Sequence, residues 1–464
     1  MLFESFMLNL FIIIVLIVAL TFDYVTKFFS YWYVRLIPNN TPIPFFGTDY
    51  YRVLGIRSNT EEVNALYAQY PKEKFVGAIK SRIPDLVVKD PDAVKTILST
   101  DFADFCRRGH SLDKSRDVCM RNNLFYAEGE TWTLLHNSVE SIFNDMKYDF
   151  EESLHDRLSG TNGDTNVQQL LSKVLDCVFK DILLDGRSDE TLITYVRTAA
   201  QRRTFMEKLK TYLKHVFPSL FVLFGMTTIP DEPSSKTKRE LEKSKILNKI
   251  RNSNIYPLRS NDKHKGSSSD IEFAFGILAT FITEGYIPCL NLLTALFYDL
   301  ATNPETQGKA RSNDEYLNAA IKETLRLHPP YSVISRQCVK MYHYPDSKLV
   351  MDKNVTVNVP VESIHRDEKY YKNAETYNPE RFLGGENSSH SFAYLPFGAG
   401  PRKCLGEQLA LQIARSVTRA VLNNNEIEPT RETPVKLNMV DHNFSRMVSE
   451  DVWLRFKPIN AMTK

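Results

Sequence analysis

A stretch without a single charge, residues 6–22 (FMLNLFIIIVLIVALTF), constrains the architecture before any other feature of the chain. As a helix rising about 1.5 Å per residue it extends roughly 26 Å, just enough to cross the hydrocarbon core of a bilayer. A cleaved signal peptide has a basic start and a small-residue cleavage site. Here the flank is Glu4-Ser5 and the segment runs directly into aromatic sequence, so an uncleaved anchor is expected. Lys27 and Arg35 follow the span and nothing basic precedes it, which by the positive-inside rule places the rest of the chain in the cytosol. Residues 37–47 (IPNNTPIPFFG) then forbid a continuing helix, because each proline fixes φ and lacks an N–H. The expected organisation is a membrane anchor over residues 1–27, a stiff proline-rich hinge over 28–47 and one large domain over 48–464.

A chain of 464 residues with 43% hydrophobic and 25% charged residues can bury a large core. Lys+Arg 58 against Asp+Glu 56 gives a net charge of +2, so nothing global draws it to nucleic acid, and no nucleic-acid partner is expected. The cysteines Cys106, Cys119, Cys177, Cys289, Cys338 and Cys404 are scattered with no C-x-x-C pair, which argues against a zinc ribbon or a disulfide framework. No internal repeat is found. Residues 60–212 are mostly helical in periodicity. Residues 216–229 (VFPSLFVLFGMTTI) are too short and too Pro/Gly-interrupted to span a bilayer; they read either as a surface-dipping or channel loop or as an ordinary core segment. Residues 231–270 are polar and Lys/Ser-rich, a solvated connection. From the N-cap at Ser269-Asp270 a long apolar helix is expected to run to about Ala301 as the central helix of the fold.

The chemistry is concentrated near the C-terminus. Residues 397–406 (FGAGPRKCLG) lead into a periodic helix with Leu409, Ile413, Val417 and Val421 on one face. The glycines let the backbone turn tightly enough to aim amide N–H groups at the Cys404 sulfur, and a helix N-terminus favours thiolate over thiol. That is a way to build a soft, anionic metal ligand; a cysteine beside glycines is also common as a buried structural residue.

The decapeptide resembles, at every fixed position, the haem-binding signature F-x-x-G-x-R-x-C-x-G of the cytochrome P-450 family, with Phe397, Gly400, Arg402, Cys404 and Gly406 in place. Lys322-Glu323-Thr324-Leu325-Arg326 resembles that family's E-x-x-R helix, and Pro379-Glu380-Arg381-Phe382 its P-E-R-F segment. Glu323 and Arg326 lie on one helix face at i, i+3, and Arg381 can return as a second cation to the same carboxylate, a structural support for the cysteine loop. The resemblance covers essentially the whole chain and is nearest to the microsomal clan of vertebrate drug-metabolising and insect detoxifying members. It implies a mainly α fold with small β sheets, preceded by an N-terminal transmembrane helix in the endoplasmic reticulum membrane. It also implies haem b held by Cys404, with Arg402, Arg336 and Trp132 on its propionates. The family places an arginine four residues after that tryptophan, where this chain has His136, whose charge depends on pH. Pocket residues are implied within 107–124, 216–228 and 331–336.

Three departures bear on the reaction. Where the family's central helix carries an acid and a threonine that relay protons to dioxygen, this chain has Ile287 and Pro288, which can neither hold a proton nor hydrogen-bond a water. Pro288 also lacks an amide donor and crowds the carbonyl of Glu284, so a kink is expected there. Glu284, one turn away on the same face, and Tyr286 are the candidate displaced relay. Residues 305–322 are shorter than the corresponding helix pair of the family. The helix around Trp132 carries Glu128, Glu130 and Glu140 and no Lys or Arg, leaving Arg402 and Lys403 as cations of a reductase-docking face. The implied activity is a haem-thiolate monooxygenase oxidising a small lipophilic substrate with O2. Its electrons would come from NADPH through NADPH-cytochrome P-450 reductase. The alternatives are a reductase-independent peroxide isomerase or dehydratase, compatible with Ile287-Pro288, and a catalytically silent haem binder.

Overall fold

The computed structural model describes residues 2–464 apart from 44–45, 81–82, 110–111, 113, 145–153, 155–157, 159, 185–190, 202–203, 229–266, 346, 385–389, 443–444 and 460–464. Most of the polar connection expected at 231–270 therefore lies outside the described residues. The chain divides into two compact units, Met1–Gly109 with Val333–Pro360, and His110–Ser332 with Val361–Lys464.

The first unit begins with the helix Leu2–Tyr33. Its window Phe6–Tyr24 has a mean hydropathy of 2.6 and none of it is covered by protein, as expected of a helix whose apolar surface is met by something other than this chain. The helix runs through the position where a hinge was expected to begin, because no proline or glycine interrupts it before Leu36, whose φ of 55° and the following Pro38 end it. The end of the helix and the proline-rich stretch after it are tied to a sheet. Trp32 is fully buried, donates from Nε1 to Ala78 O at 2.8 Å, and the Gly77 amide donates to Pro38 O at 2.8 Å.

Those partners belong to a four-stranded sheet in the order Phe75–Lys80, Ile83–Val88, Thr356–Val359, Ile334–Gln337. Ile83–Val88 and Thr356–Val359 run parallel, the other pairs antiparallel. The helical reading of 60–212 misses the first two strands: short apolar runs carry no helix-length periodicity, and Val76, Ile79, Val87 and Val88 suit a buried sheet. A Cβ added at Gly77 would lie 2.5 Å from Trp32 Cγ. Gly77→Ala should therefore push a buried indole out of place and cost about 1–3 kcal/mol, read by thermal unfolding; an unchanged melting temperature would contradict this packing.

In the second unit the central helix runs as Ser267–Phe281, a single π-helical turn Ile282–Tyr286, and Ile287–Thr302. It is the second segment long and apolar enough to cross a membrane, yet 89% of that window lies inside the protein, so it is a core helix. The expected disturbance at Pro288 takes the form of the wide turn before it, which relieves the clash between the proline ring and the Glu284 carbonyl. The shortened stretch folds as Pro304–Ser312 and Asp314–Leu327, separated by Asn313, whose side chain accepts from the amides of Glu315 at 2.8 Å and Tyr316 at 3.2 Å. Arg419 donates to the carbonyls of Ala310 at 3.2 Å and Arg311 at 2.6 Å, and Gln307 exchanges hydrogen bonds with the Ile427 backbone, so the short helix ends with its polar groups satisfied. The helix Glu407–Asn424 buries Leu409, Ile413, Val417 and Val421, the face read from the sequence.

Candidate functional site

Glu323 and Arg326 are both fully buried, one turn apart on Asp314–Leu327. Arg326 grips the carboxylate with Nε and Nη2, both at 2.8 Å, while Arg381 Nε reaches the same Oε1 at 3.0 Å and the Asn378 amide donates to it at 2.9 Å. The remaining Arg326 donors go to the carbonyls of His365 at 2.6 Å and Ala374 at 2.7 Å, and those of Arg381 to Lys372 at 2.9 Å and Asn373 at 3.2 Å. Every charge in the cluster is met, the condition under which a buried ion pair is tolerated. Motif spacing had brought these three residues together, and the structure does the same.

His365, which the sequence reading missed, ties this cluster to the cysteine loop. Its Nε2 accepts from the Leu395 amide at 2.9 Å, which leaves the ring proton on Nδ1, 3.0 Å from Arg326 O. Tyr394 stacks on the ring, and the Tyr371 hydroxyl donates to Ala393 O at 3.0 Å. Burial pushes this histidine down to about 3 from its ordinary 6.5. The unfolded chain takes up that proton first, so stability falls as pH drops from about 6.5 toward 3. His365→Phe should leave the Leu395 N–H and the Arg326 carbonyl unpaired, about 1–3 kcal/mol each, and lower the fraction of thiolate-ligated protein, with His365→Gln restoring part of it. Equal spectra in wild type and His365→Phe would contradict the brace.

Leu395 leads into the loop that sets Cys404. Gly398 and Gly400 adopt φ of 71° and 69°, conformations that a side chain resists, and the loop closes with Lys403 N donating to Gly400 O and Cys404 N to Phe397 O, both at 2.9 Å. The Gly406 amide donates to the Cys404 sulfur, the interaction expected from the glycine pattern, and a Cβ at Gly406 would sit 3.3 Å from Phe143 Cζ and 3.8 Å from that sulfur. Cys404 is exposed and yet surrounded by protein, so it lines interior space. The helix-terminus argument for a thiolate is outweighed: burial pushes the thiol up to about 11, against the lowering by the Gly406 amide and Lys403. A cation on the sulfur is what holds the thiolate form in such a place.

Trp132, His136 and Arg402 come together. Arg402 is buried, donates to Ala127 O at 2.9 Å and lies 4.7 Å over the Trp132 ring, and His136 sits 5.0 Å from that ring with its Nδ1 3.9 Å from Glu140. Arg402 is thus an interior cation and not part of a docking face; Lys403 is exposed and pairs with Glu407 at 2.6 Å. Arg336 belongs to the other unit, on the strand Ile334–Gln337, where Nη1 donates to Ser335 O at 2.9 Å. These residues fit a haem: a soft ligand facing inward, a glycine where a side chain would crowd it, and a buried guanidinium beside an indole donor.

Between Phe273 and Ala301 only Glu284, Gly285 and Pro288 are not fully buried, and their spacing puts them on one face. Glu284 raises the Cys404 thiol electrostatically. Glu284 Oε2 accepts from the Tyr331 hydroxyl. Tyr286 takes no part: its hydroxyl donates to Asp176 at 2.9 Å and accepts from Arg197 at 3.0 Å, a closed cluster that locks the helix Thr191–Ala200 to Val167–Leu184. That commitment removes it from the pair of candidate relay residues. Lys214, 2% exposed, has Nζ 3.3 Å from the Tyr126 hydroxyl; burial pushes it down to about 8, against the pull of Asp117 and Glu284. None of these three long-range placements has a local sequence signal. The apolar segment after it is helical over Pro218–Leu223, with Phe221 buried and Leu223 and Phe224 exposed, so both of its readings are partly met.

Residues 38–452 match the family model for Cytochrome P450. Among curated relatives, the chain is 27% identical to Cytochrome P450 6B6 of Helicoverpa armigera, covering 93% of this chain and 94% of that protein. It is likewise 27% identical to Cytochrome P450 6B1 of Papilio polyxenes (92% and 95% covered) and to Cytochrome P450 6k1 of Blattella germanica (92% and 93% covered). With the cysteine loop, its buried carboxylate brace and this near-complete coverage, the chain belongs to the cytochrome P450 family of haem-thiolate monooxygenases.

Proposed function

We propose that this chain is a membrane-anchored monooxygenase that inserts one atom of O2 into a small lipophilic substrate. Two electrons per turnover would arrive with NADPH as their ultimate source, through NADPH-cytochrome P-450 reductase, and two protons would come from solvent. The observation that carries the reading is the Cys404 sulfur, set by the Gly406 amide on the loop that also carries Arg402, whose guanidinium lies over the Trp132 ring. Cys404 would ligate the iron, and Arg402, Trp132, His136 and Arg336 would serve the propionates, with Phe397, Gly400 and Gly406 shaping the seat. Haem so bound supplies dioxygen binding and the electron-rich iron that favours O–O cleavage. Glu323, Arg326 and Arg381 hold the loop in place, the apolar wall of the central helix excludes water, and Glu284 accepts a hydrogen bond from the Tyr331 hydroxyl.

The Leu2–Tyr33 helix, through its apolar window, would fix the protein in the endoplasmic reticulum membrane in a single pass, with residues 48–464 on the cytosolic side. Incubation of full-length protein with reductase, NADPH and isotopically labelled dioxygen tests the reading. Label in a lipophilic product, only when reductase and NADPH are both present, is the expected result. Conversion of a lipid hydroperoxide without either component would overturn it in favour of an isomerase, a reading that nothing in the comparisons favours.

A further inference from the structure

We propose that Glu284 and Tyr331 form the proton relay of this enzyme, the phenol standing in for the hydroxyl that Pro288 removes and the carboxyl for the acid that Ile287 removes. The proposal rests on the monooxygenase reading and deepens it by naming the groups that move protons. Three observations on the second unit support it. Glu284 lies in the π-helical turn Ile282–Tyr286 and is one of three partly exposed residues between Phe273 and Ala301, with Gly285 and Pro288. The Tyr331 hydroxyl donates to Glu284 Oε2, across 47 residues of sequence. The phenol is held in place: Tyr331 follows Pro329-Pro330, Pro330 O accepts from Arg446 N at 2.9 Å, Ser332 O accepts from Glu362 N at 3.1 Å, and Phe125 stacks on the ring at 5.3 Å.

Among the other hydroxyls of this region, Thr283 Oγ1 donates to Ala279 O at 2.8 Å, accepts from Asn123 at 3.1 Å and lies 3.4 Å from Glu284 Oε1, the carboxylate oxygen that Tyr331 does not use, and the Tyr286 hydroxyl belongs to the Asp176–Arg197 cluster. Reductive monooxygenation consumes two protons per dioxygen, one oxygen atom leaving as water. A proton moves along the phenol–carboxyl hydrogen bond so that the group nearer the reacting oxygen gives one as the other takes one from solvent. Both groups end each transfer in their starting charge state. Lys214 is a cation whose charge interacts with that of Glu284.

The test uses full-length protein carrying haem and compares Tyr331→Phe, Glu284→Gln and the double variant. All three are expected to keep the wild-type carbon monoxide difference spectrum while product formation falls by about 100-fold, with electrons diverted to hydrogen peroxide. The double variant should be no worse than either single one, since two halves of one relay fail together. A readout independent of turnover is the fluorine NMR signal of a ring-fluorinated tyrosine at position 331 in resting protein, which is expected to move on Glu284→Gln. If Tyr331→Phe loses haem, Glu284→Gln and the NMR shift carry the decision. Wild-type rates in both single variants, multiplicative losses, or an unmoved fluorine signal would overturn the pair while leaving the monooxygenase reading intact. Absence of reductase-driven turnover in the wild type would overturn both.

Discussion

Glu323→Gln yields little or no folded haem protein, the largest stability loss expected from any isosteric change in this chain. The carboxylate is fully buried and receives Arg326 through two nitrogens, Arg381 through a third and the Asn378 amide. Neutralising it leaves two guanidinium groups facing an amide that can accept less than it must and whose own N–H groups point at cations. Removing one partner of a buried pair costs about 3–5 kcal/mol, a large share of the 5–15 kcal/mol by which a domain is stable. The damage also propagates, because Arg326 holds the carbonyls of His365 and Ala374, and His365 holds Leu395 at the head of the cysteine loop. A surface pair gives the contrast: Glu305→Gln removes one of the two carboxylates that Lys309 pairs with, the other being Glu380, and with Glu305 83% exposed it should change stability by less than about 0.5 kcal/mol. Thermal unfolding of the two variants side by side checks the argument, and equal melting temperatures would sink it.

Cys404→Ser has a different signature. The substitution removes one sulfur from a loop whose backbone hydrogen bonds, Cys404 N to Phe397 O and Lys403 N to Gly400 O, do not involve that atom, so the fold survives. A serine hydroxyl in the same enclosed place is a poor anion and a hard ligand, so neither thiolate ligation nor its electron push remains. Reductase-dependent turnover is expected to fall to the level of protein-free controls while far-ultraviolet circular dichroism and melting temperature stay near wild type. Retained turnover would mean that Cys404 is not the ligand.

Much of the site was legible because its parts are encoded in short spacings. The glycines at 398 and 400 declare a positive-φ loop, Glu323 and Arg326 share a face at i, i+3, and Pro288 forces a disturbance wherever it sits in a helix. What escaped the sequence depends on contacts between distant segments. His365 meets Leu395 from thirty positions away, Tyr331 meets Glu284 from forty-seven, and Asp176 meets Tyr286 from one hundred and ten, with no residue pattern to announce any of them. The reading of Cys404 as a ready thiolate weighed the helix dipole and omitted desolvation, which only the packed structure supplies. The strands Phe75–Lys80 and Ile83–Val88 were lost in a helical stretch because runs of only six residues fit either period.

The most direct test of the account is the carbon monoxide difference spectrum of dithionite-reduced, full-length protein in membranes. A strongly red-shifted Soret band, absent in Cys404→Ser, is the predicted result. Folded full-length protein that takes up haem without that band would contradict the assignment of Cys404 as the thiolate ligand and, with it, the function built on that assignment.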